Sequence, residues 1–322
     1  MISAVIPVYN EEESLPEFYK RLTASLVKID KSYEVIFIDD GSTDTSLQLM
    51  KQYAKKDKHV RIFSFRKNQG KAEGLTLGFQ MAKGEYIVTL DADLQDLPEE
   101  ISDLYKKAQE GNELVCGWRK NRRDPLKKVI SSRLFNMSAK WFWGLDLHDY
   151  NCGLKLYTSE AAKSLRMYGG MHRFIPLLVF GQGFSVTEMP VEHKERKYGY
   201  SKYGFSKLWK DLPDILTMLF LTKYGKRPLH FFGLIGGIVV AIGLGILVYL
   251  SALHFSGHAI GDRPLLSMGI LLLLAGIQIV MTGFLADLLI NLSQTPRSFE
   301  ERMHFHLKYD SDNTKVKNVS LE

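Results

Sequence analysis

Two stretches of this 322-residue chain hold no Asp, Glu, Lys or Arg: Pro228 to Gly261 and Leu265 to Ala286. Each contains the roughly 20 apolar residues that cross a bilayer, so two transmembrane helices are expected; two core helices of a soluble domain are the competing reading. Cysteine is nearly missing as well. Cys116 and Cys152 stand in neither metal-ligand nor redox spacing, which excludes a disulfide framework and a zinc site and suggests thiols in a reducing compartment. The first residues lack a basic region followed by an apolar run and a small-residue cleavage site, so no signal peptide is expected and the residues before the first span are read as cytosolic. Neither GxGxxG nor a Walker lysine loop occurs, which weakens the ordinary dinucleotide and phosphate-loop readings. The net charge is +6, yet no aromatic-basic recognition motif accompanies it. No nucleic acid is expected as partner, and the basic residues suit anionic headgroups instead.

Lys223, Lys226 and Arg227 precede the first apolar stretch, and Arg297, Arg302 and Lys308 follow the second, while the loop between them carries only Asp262 and Arg263. The positive-inside rule places both ends in the cytoplasm. What remains is a soluble module of about 200 residues.

That module alternates strand and helix through its first 117 residues. Apolar strands are expected at Ser3–Val8, Tyr33–Ile38, Val60–Phe65, Glu85–Leu90 and Leu114–Gly117, with helices between them; Leu15, Phe18, Leu22 and Leu26 share one face of the first helix. The alternation predicts an α/β fold with a doubly wound parallel sheet, whose ligands bind beyond the carboxyl ends of the strands. Two acidic clusters lie at such ends: Asp39-Asp40 after the second strand and Asp91-Ala92-Asp93 after the fourth. Carboxylates two residues apart in a tight turn converge on a hard divalent cation, and Mg2+ favours one or two carboxylates plus substrate phosphates. A solvated turn or helix cap is the plainer reading of each cluster. Asp40, standing before Gly-Ser, is read as structural.

Further on, Leu208, Leu212, Ile215, Leu216, Leu219 and Phe220 fall on one helical face, with Pro213 breaking the run. Interfacial helices along a membrane surface, or a core helix of the soluble domain, both fit this pattern. The domain limits follow: 1–200 catalytic, 201–227 juxtamembrane, 228–292 two spans and 293–322 a tail.

Seven motifs in order, PVYNEEES, DDGSTD, NQGKAEGL, DADLQDLPE, GWRKNRRD, DYNCGLKLY and RKYGYSKYG, resemble the inverting glycosyltransferases of family two. Their polyprenyl-phosphate branch, with dolichol-phosphate mannose synthase and the bacterial undecaprenyl-phosphate sugar transferases, is the most similar. The resemblance covers nearly the whole chain. It implies a GT-A fold and transfer of a sugar from a UDP- or GDP-linked donor to a polyprenyl phosphate. It implies a multi-pass protein of the bacterial inner membrane with cytoplasmic catalytic domain and termini, and a possible homotetramer.

Carried over by position, the resemblance assigns the nucleotide to Pro7, Tyr9, Glu11, Asp39, Lys71 and Asp91. It gives Mg2+ or Mn2+ to Asp91, Asp93 and Gln95, and the acceptor phosphate and diphosphate to Arg119, Arg133, Arg196, Ser201 and Lys202. Guanidinium forks suit phosphate oxygens, and Gly199 and Gly204 would let the last of these segments close over them. Arg122, Arg123, Lys127 and Lys128 are read as a solvated or headgroup-facing surface. Asp93, Arg119 and Arg133 are the catalytic candidates together with Asp149, which is either an orienting or basic carboxylate or a structural cap. Relatives carry an acid at the position aligned with Gly153, which bears on the role of Asp149. Two other readings stand beside this one. A processive polysaccharide synthase would carry QxxRW, and QTPRSF at Gln294 lacks the tryptophan. A non-catalytic membrane scaffold would not need the Asp91-Asp93 pair.

Overall fold

The structure, a computed structural model, describes residues 1–30, 32–120, 140, 143–194, 217, 220, 224–225, 227–261, 264–293, 306–308 and 317–319. It divides into two units, Met1–Thr222 and Lys223–Glu322. The predicted juxtamembrane helices at 201–227 fall almost wholly outside the described residues.

The first unit opens with strand β1 (Ile2–Val8), helix α1 (Leu15–Ile29), β2 (Tyr33–Asp39), α2 (Ser46–Lys56), β3 (Val60–Ser64), α3 (Lys71–Met81) and β4 (Tyr86–Thr89). After a 3-10 turn at Pro98–Glu100 come α4 (Ile101–Gln109) and β5 (Leu114–Arg119). Then follow β6 (Lys155–Thr158), α5 (Ser159–Lys163), a 3-10 turn at Met171–Phe174, α6 (Ile175–Gly181) and β7 (Val186–Val191). Leu15, Phe18, Leu22 and Leu26 of α1 are buried, as their spacing predicts, against one face of the sheet. Helix α3 covers the other face with Ala72, Leu75 and Phe79.

The sheet has seven strands in the order β3-β2-β1-β4-β6-β5-β7. The expectation of an all-parallel sheet is corrected here: β6 runs antiparallel to both β4 and β5, whereas β1 with β2 and β4, β2 with β3, and β5 with β7 are parallel. The reversal is what builds the site. It brings the amino end of β6 to the edge where β1, β2, β4, β5 and β7 end. That edge collects Asp39, Asp91, Arg119 and the 149–155 segment, and the change of winding direction lies between β1 and β4.

In the second unit, α7 (Pro228–Phe255) and α8 (Pro264–Ser293) are long and apolar enough to cross a membrane. They pack together through glycines. A Cβ on Gly236 would lie 2.8 Å from the Gly276 carbonyl oxygen, and one on Gly243 would lie 2.8 Å from the Leu273 nitrogen. Gly237 faces open space, so the pair in contact with α8 is Gly236 and Gly243, not the Gly233-Gly237 spacing that reads most readily as a packing motif. The tail contributes an antiparallel ladder, β8 (His306–Lys308) with β9 (Lys317–Val319).

Candidate active site

The first two motifs are held to each other before they hold anything else. Asn10, in the left-handed region at φ 54°, accepts the Thr43 N–H through Oδ1 at 2.8 Å, and its own N–H reaches the Ser42 hydroxyl at 3.1 Å. The Glu11 N–H donates to the Ser46 hydroxyl at 2.9 Å, and Glu12 accepts from the Thr45 N–H and hydroxyl. PVYNEEES and DDGSTD thus form one rim beyond β1 and β2, which sets Pro7, Tyr9 and Glu11 beside Asp39. Both oxygens of the buried Asp39 are engaged, one by the Ser42 N–H at 3.1 Å and the other by the Ser64 hydroxyl at 2.6 Å.

Asp40 is structural, but through a different contact from the expected helix cap. Its carboxylate accepts the Gln69 N–H at 2.6 Å and the Gly70 N–H at 3.0 Å, anchoring the loop that launches α3. Gly41 makes this approach possible: its φ is 71°, and a Cβ there would lie 2.7 Å from the Lys67 backbone. The anchored loop delivers Lys71, whose ammonium donates to Asp91 Oδ1 at 2.5 Å.

Asp91 is half-buried at the rim beyond β4. Burial raises its pKa, but the Lys71 ammonium, with His172 and Lys155 nearby, outweighs this and holds the carboxyl below its ordinary value. Asp93 is buried and accepts the Gln95 N–H at 3.1 Å across Leu94, a non-glycine residue at φ 61°. A leucine in that region costs about 1–2 kcal/mol, so the turn carries strain at the point where the acids are presented. Lys194 N–H to the Gln95 carbonyl at 3.0 Å fastens the same turn from the end of β7. The buried Asp96, which the motif reading left unassigned, accepts the Leu154 N–H at 3.1 Å and faces His193 Nδ1 at 3.3 Å.

This arrangement suits a divalent cation. The Asp91 carboxylate already holds a cation in the form of the Lys71 ammonium. Among the described residues no group of three His, Cys, Asp or Glu could hold a metal ion by itself. Gly153 backs it closely: a Cβ there would stand 2.8 Å from Asp91 Oδ2 and 2.9 Å from Asp96 Oδ2. An acid at this position has no room here.

Arg119 and Asp149, two predicted site residues, are each other's partners. Arg119 Nε donates to Asp149 Oδ2 at 2.7 Å and Nη2 to Oδ1 at 3.1 Å, a bidentate pair with Asp149 fully buried. Burial alone would weaken the guanidinium's hold on its proton, but the Asp149 bonds outweigh it and its pKa rises above the ordinary value. Asp149 also accepts the Asn151 N–H at 3.1 Å. Arg133, Arg196, Ser201 and Lys202 lie outside the described residues.

A cavity opens between these groups. Pro7, Lys71, Asp91, Lys155, Tyr157 and His172 are among its lining residues. Sequence reasoning missed the last three. Burial, with Lys71 and Arg173 adding to it, lowers the His172 pKa to about 3, so its imidazole is neutral. The available signal was a lysine inside the apolar run GLKLY, a charge placed where a strand interior is expected.

Residues 3–166 match the family model described as Glycosyl transferase family 2. The chain belongs to that family. This family 2 glycosyltransferase is 37% identical over 294 residues to a dodecaprenyl-phosphate galacturonate synthase of Rhizobium johnstonii, covering 89% of this chain and 87% of that one. It is 34% identical over 309 residues to an undecaprenyl-phosphate 4-deoxy-4-formamido-L-arabinose transferase of Enterobacter sp. strain 638, covering 94% and 93%. Among solved structures, glucosyl-3-phosphoglycerate synthase of Mycobacterium tuberculosis with phosphoglyceric acid superposes with a TM-score of 0.54 at 20% identity, over 69% of this chain and 79% of that one. The same enzyme with Mn2+, UDP and phosphoglyceric acid gives 0.53 at 18%, over 69% and 78%. These neighbours bear out the expected GT-A architecture, with the reversed strand β6 as its one departure from a parallel sheet.

Proposed function

We propose that this glycosyltransferase transfers a single sugar from a nucleotide sugar to a polyprenyl phosphate at a membrane. The observation that carries the reading is the extent of the likeness. A match over 89% of the chain to a polyprenyl-phosphate sugar transferase must take in both apolar helices as well as the cleft, so the membrane part and the catalytic part are shared together.

The nucleotide, UDP or GDP, sits on the rim made by Pro7, Tyr9, Glu11 and Asp39, with Lys71 turned toward its phosphates. Asp91, Asp93 and Gln95 would hold Mg2+ or Mn2+, which when bound would supply charge neutralisation for the leaving diphosphate. That a solved neighbour of the same fold binds Mn2+ with UDP supports use of a divalent metal in general. An oxygen of the lipid phosphate attacks the anomeric carbon; the new carbon–oxygen bond forms as the bond to the diphosphate breaks, and the nucleoside diphosphate leaves with the electron pair. In-line attack inverts the anomeric centre. A phosphate monoester with a second pKa of about 6 is already largely ionised at neutral pH, so no strong base is required. Asp149, held bidentately by Arg119, acts by fixing the plane of that guanidinium for the acceptor phosphate. Arg133, Arg196, Ser201 and Lys202 complete the acceptor side. The apolar helices anchor the chain in the inner membrane, with the catalytic unit and both termini cytoplasmic, and a homotetramer is the proposed assembly.

The test is transfer by purified protein in detergent, given undecaprenyl phosphate, Mg2+ or Mn2+ and a panel of UDP- and GDP-sugars. Sugar on the lipid from one donor, lost in Asp93→Ala and Arg133→Ala, is expected. Nucleotide release without lipid product would assign a different acceptor, and a folded protein inert with every donor would favour a non-catalytic scaffold.

A further inference from the structure

Strand β6 places Lys155 and Tyr157 two residues apart, hence on the same face of the sheet, and both line the cavity that Asp91 borders. Lys155 is 3% exposed. Its ammonium donates to the Cys152 carbonyl oxygen, and among the described residues no carboxylate pairs with it. Lys71, the other lysine of the cavity, is matched by Asp91 at 2.5 Å. Asp91 acts on Lys155 only from beyond ion-pair distance, so among the described residues Lys155 is a buried ammonium with no carboxylate in contact, an arrangement that a further anion would complete.

Two more groups in the same cavity await partners. The Tyr157 hydroxyl and His172 Nδ1 are buried and make no well-aligned hydrogen bond among the described residues, their nearest polar neighbours being the Thr89 side chain and the Gly169 backbone. A charged donor, a phenol and an imidazole edge around one space ask for a compact group with several acceptor oxygens. A neutral hydroxymethyl satisfies the phenol and the imidazole and leaves the ammonium unmatched. A carboxylate satisfies all three.

We propose that Lys155, with Tyr157 and His172, forms a subsite for the carboxylate of the donor's sugar, so that the enzyme selects a uronic acid donor over its neutral counterpart. This rests on the nucleotide-sugar reading above. It adds the class of sugar and the residue that reads it.

Equilibrium binding of UDP, UDP-galacturonate, UDP-glucuronate, UDP-galactose and UDP-glucose to the full-length protein in detergent with Mg2+ tests this without the lipid. The wild type is expected to bind one of the uronate donors about tenfold or more tighter than its neutral counterpart. Lys155→Met, which keeps the length of the side chain, is expected to abolish that preference while leaving UDP affinity within about twofold, and Lys155→Arg to retain part of it. Equal binding of uronate and neutral donors by the wild type overturns the proposal and needs no variant. So does a Lys155→Met variant that loses UDP and every UDP-sugar alike, which would assign the ammonium to the diphosphate, or one that keeps the preference intact. Binding of none of these nucleotides would instead count against a UDP-linked donor in the parent reading.

Discussion

Gly153 is the residue on which the acidic site presses hardest. With Asp91 Oδ2 and Asp96 Oδ2 both within 2.9 Å of where a Cβ would stand, Gly153→Ala must push one carboxylate aside. Overlap of this kind costs about 1–3 kcal/mol, and here it falls on a metal-binding candidate and on the contact that fastens its loop. The expected outcome is a transfer rate at least about tenfold lower, partly recovered at high Mg2+, with an unchanged circular dichroism spectrum. A variant with wild-type rate and metal dependence would show that Asp91 does not need its present position. The sequence alone gave no sign of this crowding at Gly153. Its reason is spatial: Asp96, in the loop between β4 and the 3-10 turn and far from Gly153 in sequence, accepts the Leu154 N–H and takes up the room.

At the scale of elements, strand β2 shows how a buried charge fixes the sheet. Glu34 accepts from the Ser3 hydroxyl at 2.6 Å, the Lys83 N–H at 2.6 Å and Arg61 at 2.8 Å, joining β1, β2, β3 and the end of α3. Burial raises its pKa, but these three donors outweigh it and hold the value below that of an ordinary glutamate. Glu34→Gln is expected to destabilise the protein by about 2–3 kcal/mol near neutral pH. Because the folded-state pKa lies below the unfolded one, the wild-type advantage is full above the unfolded value of about 4.3 and fades as the pH falls through the folded value. Denaturant melts of both proteins from pH 7 to pH 3 check this; a difference that grows toward acid would contradict it.

The apolar helices offer a second prediction at this scale. Gly236→Val drives a side chain into Val280 and the Gly276 backbone, whereas Gly237→Val enters open space. The first is expected to lower the thermal midpoint in detergent by several degrees and the second to leave it unchanged. Equal effects would contradict the α7–α8 packing.

Elements were the most legible part of this sequence, and their directions the least. The stripe Leu15, Phe18, Leu22 and Leu26, the strand ends at Asp39 and Asp91 and the two uncharged stretches all follow from local periodicity. Periodicity carries no strand direction, so KLYT gave no sign that β6 would run against β4 and bring Lys155 to the cleft. For the same reason Asp40 read as a cap for α2, when its partners are Gln69 and Gly70 in a loop 29 and 30 residues away. The Arg119–Asp149 pair spans 30 residues and was legible as two separate candidates, never as one unit.

At the scale of the whole molecule, one chain carries a family 2 glycosyltransferase unit and two apolar helices. The proposed lipid-phosphate acceptor would give such a chain a reason to hold both. The reaction written above breaks the bond between the anomeric carbon and the diphosphate, so the nucleotide must leave as a diphosphate and the lipid must gain one sugar with no added phosphate. The measurement that tests this most directly is the mass of the lipid product together with the identity of the released nucleotide, from one reaction with undecaprenyl phosphate and the preferred donor. The account predicts a single glycosyl unit on the lipid monophosphate and one nucleoside diphosphate per product. A nucleoside monophosphate with a lipid diphosphate, or a ladder of many sugars on the acceptor, would contradict it.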